Sequence, residues 1–216
     1  MARTISIGRQ DFAEIRENQY FFIDKTELIE QWWESGDAIT LITRPRRFGK
    51  TLNLSMMNYF FSNQYKDRGD LFEGLKVWER ESYRKIQGTY PVLFISFADV
   101  KQATYEDAVA KLKNIIVAQY SRYAFLGKSD QLTAAEQQQF QAVTYNMDDV
   151  TAQDAIKNLC TYLERYYGKK VLIFLDEYDT PMQEAYVHGY WDAFAAFMRS
   201  MFNAIFKTNP SLERAL

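Results

Sequence analysis

Between Ala38 and Phe61 the sequence changes character twice. Ala-Ile-Thr-Leu-Ile-Thr is apolar and β-branched, Arg44-Pro45-Arg46-Arg47-Phe48-Gly49-Lys50-Thr51 is basic and turn-forming, and Leu52 to Phe61 is amphipathic at helical spacing. Read in order, these are a buried strand, a tight loop and a helix whose first turn carries Gly-Lys-Thr. Such a helix start offers unpaired backbone N–H groups and a positive dipole end to phosphate oxygens. Gly49 lets the backbone approach closely, Lys50 can reach the β/γ-phosphates, and the Thr51 hydroxyl can ligate Mg²⁺. The backbone N–H groups of Arg46, Arg47, Phe48, Gly49, Lys50 and Thr51 complete the expected nucleotide cradle. One position departs from G-x-x-x-x-G-K-[ST], since Arg44 stands where the first glycine belongs. The alternative is a basic loop before a glycine-capped helix, and the flanking strand and helix argue against it. Gly127-Lys128-Ser129 spells a similar triplet but follows a helical run, with Arg122 at the first-glycine position, so it reads as a loop.

A chain of 216 residues with 47% hydrophobic and 16% aromatic content can bury one sizeable core and is not disordered as a whole. Lys and Arg total 26 against 28 Asp and Glu, a net charge of −2 that gives no global argument for nucleic-acid or membrane binding. Cys160 is the one cysteine, so it has no internal disulfide partner, and its place on an apolar helix face marks it as a buried small hydrophobe. No stretch reaches the ~20 apolar residues of a membrane span, and a cytoplasmic location is expected. His188, the sole histidine, is expected at the surface.

No repeat or Pro/Gly linker divides the chain, so one domain, 1–216, is the economical count, with an N-terminal arm and helix at 1–37 and a nucleotide-binding core at 38–216. The arm's aromatic residues, Phe12 and Tyr20 to Phe22 among them, read as core; the alternative is that the arm covers a nucleotide base. Asp24 or Thr26 is expected to cap the helix that Gly36 stops. Strands are expected at about 38–43, 91–97 and 170–176. Helices are expected after the caps Thr104, Thr133 (a capping box with Glu136) and Thr151, with Asp148 and Asp149 as a solvated entrance to the last of these.

The second chemical signal follows Val171 to Leu175, an apolar strand that delivers Asp176-Glu177-Tyr178-Asp179 at its C-terminal end. In open α/β sheets ligands bind outside that end. Asp176 would hold Mg²⁺ opposite Thr51, and Glu177 would orient or deprotonate an attacking water. Alone, the same residues read as an acidic loop.

Arg-Pro-Arg-Arg-Phe-Gly-Lys-Thr, with Phe-Phe-Ile-Asp-Lys-Thr before it and Leu-Asp-Glu-Tyr-Asp-Thr-Pro after it, resembles the bacterial AAA-ATPase-like family of P-loop proteins. The resemblance implies a three-layer α/β P-loop NTPase fold with a mainly parallel sheet of additional-strand type, ATP and Mg²⁺ as ligands, and Arg44 in place of the first loop glycine. It also implies a glutamate acting on water, and relatives that often continue into a PD-(D/E)xK nuclease-like domain. Relatives would enter a further sheet strand with a polar sensor residue after a helix such as 190–206, whereas here Asn209 to Leu216 closes the chain. That strand, the lid and the nuclease-like part are therefore expected to be missing, leaving a vacant slot between the first and third strands. The expected function is an ATP-binding module that hydrolyses ATP in the complete family protein and slowly, if at all, as this chain alone. ATP is favoured over GTP because no guanine-reading motif occurs. Arg47 is expected to aim at phosphate oxygens. The alternative is a nucleotide-dependent module binding an unidentified protein or nucleic acid through Tyr- and Arg-rich surface, with little turnover. No nuclease residue set is found in this chain.

Overall fold

The computed structural model describes residues 4–5, 7–43 and 48–216. Its contacts divide the chain into two units, residues 1–92 with 214–216, and residues 93–213.

The first unit is built on aromatic side chains. Asp11 accepts the backbone N–H of Glu14 and starts α1 (Phe12–Glu17); α2 spans Glu27–Ser35, and Gly36, at φ 75°, stops it in the left-handed conformation that glycine adopts without penalty. Helix α3 (Lys50–Phe61) buries Leu54, Met56, Met57, Phe60 and Phe61. Phe60 meets Phe72 edge-on at 5.1 Å, Phe72 meets Phe12 at 5.1 Å, and Trp32 meets Phe61 edge-on at 5.4 Å. One contiguous aromatic core thus joins the N-terminal arm to α3. The backbone N–H of Phe12 donates to the Ser55 hydroxyl at 3.0 Å, so α3 also satisfies an orphan donor of α1. Within the arm Phe12 and Ile15 are buried, while Phe21 and Ile23 are exposed.

Two short helices follow, α4 (Lys76–Glu79) and α5 (Glu81–Ile86). Of Asp24 and Thr26, the two candidates, Thr26 holds the N-cap position of α2, but it makes no side-chain capping bond there, and both side chains serve α4. Asp24 accepts from the backbone N–H groups of Thr26 and Lys76, and the Thr26 hydroxyl donates to Asp24 and accepts from the N–H of Val77. The carboxylate spans two strands of chain that are distant in sequence. Gly88 sits at a close approach, since a Cβ there would lie 2.3 Å from the Lys66 backbone.

The second unit carries the sheet. Strand β1 (Val92–Ser96) begins at the boundary, β2 is Val171–Asp176, and β3 is Leu212–Ala215, in the order β1-β2-β3. The Phe97 N–H donates to the Asp176 carbonyl at one pair of C-terminal ends, and the Val171 N–H donates to the Ser211 carbonyl at one pair of N-terminal ends. Neighbouring strands therefore run the same way, and the sheet is parallel. Val171, Leu172, Ile173 and Phe174 are fully buried, as a continuous apolar run covered on both faces requires. Helices α6 (Tyr105–Arg122), α7 (Ala134–Ala142), α8 (Asp149–Tyr167), α9 (Thr180–Val187) and α10 (Trp191–Phe202) complete the unit. Thr104 caps α6 and the Thr133–Glu136 capping box starts α7, as the sequence predicts. Cys160 lies buried on α8, and burial pushes its thiol up to about 12.

Four expectations need correction. The strand expected to be absent is present as β3, so the slot predicted to be vacant has a neighbour: Ala38 to Thr40 exchange bonds with Ala215 (Ala215 N–H to Ala38 O, Thr40 N–H to Ala215 O, both 2.9 Å), a parallel bridge, and not with the Val171 strand. The run 38–43, predicted to be a buried strand, is reduced among the described residues to the bridge of Ile39 with Ala215, and Ile39, Leu41 and Ile42 stay 52%, 61% and 36% exposed. Asp148, not Thr151, caps α8, its carboxylate accepting both the N–H and the hydroxyl of Thr151. Finally, the helix expected over 190–206 ends at Phe202 and closes in a π turn over Asn203–Lys207.

Candidate functional site

The first candidate segment starts at Gly49, the N-cap of α3, with φ 76° and ψ 22°. A Cβ there would meet no atom of the described residues within 4 Å, and the left-handed backbone conformation is what calls for glycine. Gly49 itself has no side chain with which to cap α3. Lys50 and Thr51 occupy its first turn, half-buried, and Phe48 before them is 61% exposed. The rest of α3 is locked into the aromatic core, which fixes the direction of this helix end. Chemically, a fixed helix N-terminus with an ammonium and a hydroxyl in its first turn can receive an anion. Arg44, Arg46 and Arg47 lie outside the described residues.

The second candidate segment ends β2. Asp176 is 5% exposed, its carbonyl accepts the Phe97 N–H, and its Oδ1 accepts the Glu177 N–H at 3.1 Å. Glu177 adopts φ 54°, a left-handed conformation that non-glycine residues rarely take. Two bonds close over it: the Thr180 N–H donates to the Glu177 carbonyl at 3.1 Å, and the Thr180 hydroxyl donates to Glu177 Oε2 at 3.0 Å. Asp179 is the N-cap of α9, and its carboxylate accepts from the Gln183 amide at 2.8 Å. The four-residue acidic stretch therefore divides, Asp179 belonging to a helix start and Asp176 and Glu177 to the strand end. Among the described residues no group of three or more potential metal ligands gathers.

Gly127-Lys128-Ser129 lies at the end of a 3-10 turn after α6, where a Cβ on Gly127 would sit 3.0 Å from Phe140. That is a packed corner. His188, at the end of α9, is partly exposed and 3.5 Å from Glu184. Among the described residues no helix is long and apolar enough to cross a membrane.

Comparison with known proteins matches the AAA-ATPase-like family, described as "Predicted AAA-ATPase", over residues 6–216. The chain belongs to the AAA-ATPase-like family. One member-like relative, described as an uncharacterized protein in the vnfD 5′ region of Azotobacter chroococcum mcd 1, is 30% identical over 181 residues, covering 83% of this chain and 30% of the relative. The chain thus spans about three tenths of that relative's length. No solved structure matches. Membership of the AAA-ATPase-like family agrees with an α/β architecture carrying a small parallel sheet.

Thr180 was not singled out in the sequence. In Asp-Glu-Tyr-Asp-Thr-Pro it reads as the start of a helix before proline; the one local signal for its second bond is a hydroxyl three residues after an acid, the spacing at which a turn brings side chains together.

Proposed function

We propose that this chain is an ATP·Mg²⁺-binding module of an ATPase. The observation that carries the reading is the left-handed Gly49 opening α3 with Lys50 and Thr51 in its first turn. Lys50 neutralises β/γ-phosphate charge while the first-turn N–H groups donate to phosphate oxygens. Thr51 and Asp176 are the Mg²⁺ donors, and Mg²⁺, when bound, supplies charge neutralisation on the phosphates. Arg46 and Arg47 add positive charge from the loop. Glu177 acts on water: an O–P bond forms at the γ-phosphorus as the bond to the bridging oxygen breaks, ADP leaves, and the water proton passes to the Glu177 carboxylate. A nuclease-like domain and a protein partner belong to the longer family proteins in this reading.

The test is a titration of a fluorescent ATP analogue in the presence of Mg²⁺. Saturable binding that competes with ATP and is lost in Lys50→Ala is expected. Absence of binding by the unsubstituted chain would overturn the proposal.

A further inference from the structure

Glu177 is held from three directions within its own turn: its N–H by Asp176 Oδ1, its carbonyl by the Thr180 N–H, and its carboxylate by the Thr180 hydroxyl. Thr180 is 7% exposed, so its hydroxyl bonds away from competing water. A glutamate has three rotatable side-chain bonds, and a base that must meet one water in one place gains from having them fixed. The bond uses Oε2 alone; Oε1 accepts no protein hydrogen bond among the described residues. A carboxylate so divided has one oxygen for orientation and one for a proton.

We propose that Thr180 is the positioning residue for Glu177, setting through its hydroxyl the rotamer in which the carboxylate addresses water. The inference deepens the ATPase reading and rests on it for its kinetic consequence. The backbone strain at Glu177 belongs to the same device. A residue at φ 54° persists where its surroundings over-determine it, and here the two bonds from Thr180 do so from a helix start that Asp179 and Pro181 fix in turn. The donor geometry also distinguishes this arrangement from ordinary capping. In a capped helix the side-chain oxygen accepts from a backbone N–H, whereas the Thr180 hydroxyl donates to a carboxylate outside the helix.

Thr180→Val keeps the shape of the side chain and removes the donor, and Thr180→Ser keeps the donor. Three measurements are needed: binding of the fluorescent ATP analogue, single-turnover ATP hydrolysis with the chain in excess, and crystal structures of the unsubstituted chain and of the Val variant. Thr180→Val is expected to leave nucleotide affinity unchanged, to slow hydrolysis roughly ten- to hundredfold, and to show the Glu177 carboxylate turned from its position. Thr180→Ser is expected to restore the rate, and Thr180→Val is expected to have no further effect when added to Glu177→Gln. Unchanged hydrolysis in the Val variant, or a Glu177 carboxylate that stays in place without the hydroxyl, overturns the proposal. If the unsubstituted chain binds no nucleotide, the ATPase reading fails, and the crystallographic comparison still decides whether Thr180 positions Glu177.

Discussion

The Arg214 guanidinium lies 4.8 Å from the centre of the Trp33 ring and donates from Nη1 to the Trp32 carbonyl at 2.9 Å. It stands on β3, and both contacts are with α2, which belongs to the same unit. Its role here is to fasten the end of the chain. Arg214→Ala should lower stability by about 1–2 kcal/mol through loss of the ring contact and of a charge-assisted bond to a carbonyl. Thermal unfolding measures the loss. Nucleotide affinity measured well below the unfolding temperature should not change, and a large fall in affinity with unaltered stability would give Arg214 a sensor role instead.

Asp24 is a second fastener. Burial raises its carboxyl, but the bonds from Thr26 and from the Lys76 N–H outweigh that and hold it below the ordinary aspartate range. Asp24→Ala strands the Lys76 N–H at the start of α4 and is expected to cost about 1–2 kcal/mol, the range of a lost helix cap. Thr26→Val removes the acceptor for the Val77 N–H and should cost a similar amount. Because Asp24 and Thr26 also bond each other, the double variant should cost less than the sum. Chemical denaturation of the three variants tests this, and strict additivity would count against a single clamp.

Much of the architecture was legible because it is written locally. The continuous apolar runs that became β1 and β2, the Thr133–Glu136 capping box, and Gly36 as a helix stop each combine a residue type with a spacing that a few neighbouring residues decide. Strand β3 was not legible. Leu212-Glu213-Arg214-Ala215 has neither alternation nor an apolar run, and its extended form comes from bonds to Val171 on one side and to Ala38 and Thr40 on the other. Strand propensity is set by such neighbours more than by the strand itself. The same reason hid the Asp24 clamp, whose partners at Lys76 and Val77 are some fifty residues away. Of the candidate site, the helix start at Gly49 and the acidic strand end at Asp176 were visible as motifs, whereas the bond from Thr180 to Glu177 needed the left-handed turn that Glu177 makes.

The Glu136–Arg165 pair offers a pH-dependent test. Arg165 holds Glu136 in a two-pronged bond, Nη1 to Oε2 at 2.8 Å and Nη2 to Oε1 at 2.9 Å, and the Thr133 N–H adds a third at 2.8 Å. These, Arg165 first, lower the Glu136 carboxyl from 4.5 to about 2. Between those values the unfolded chain binds the proton more readily than the folded one, so stability from this group is complete above about pH 4.5 and is lost as pH falls towards 2. Arg165 is 38% and Glu136 21% exposed, so screening keeps the pair near 1 kcal/mol or less. Glu136→Gln keeps the acceptor for Thr133 and removes the charge. It should be less stable than the parent at neutral pH and equal to it near pH 2, and a difference that persists in acid would place the effect in packing instead of charge.

The last prediction concerns Gly49, where fold and function can be separated. At φ 76° a non-glycine residue is strained, yet a Cβ would meet no atom of the described residues within 4 Å. Gly49→Ala should therefore fold, with a penalty of about 1 kcal/mol from the left-handed backbone alone. Nucleotide binding should suffer far more than stability, because a phosphate approaching the N–H groups of Lys50 and Thr51 must pass close to the backbone, and a methyl group there would take the space that glycine leaves open. The outcome expected is a modest fall in unfolding temperature with at least tenfold weaker binding of the ATP analogue, an energy of about 1.4 kcal/mol or more at the site. Equal losses in both measurements would mean that the glycine serves only to turn the chain into α3. An alanine variant that bound as tightly as the parent would remove Gly49 from the phosphate site altogether.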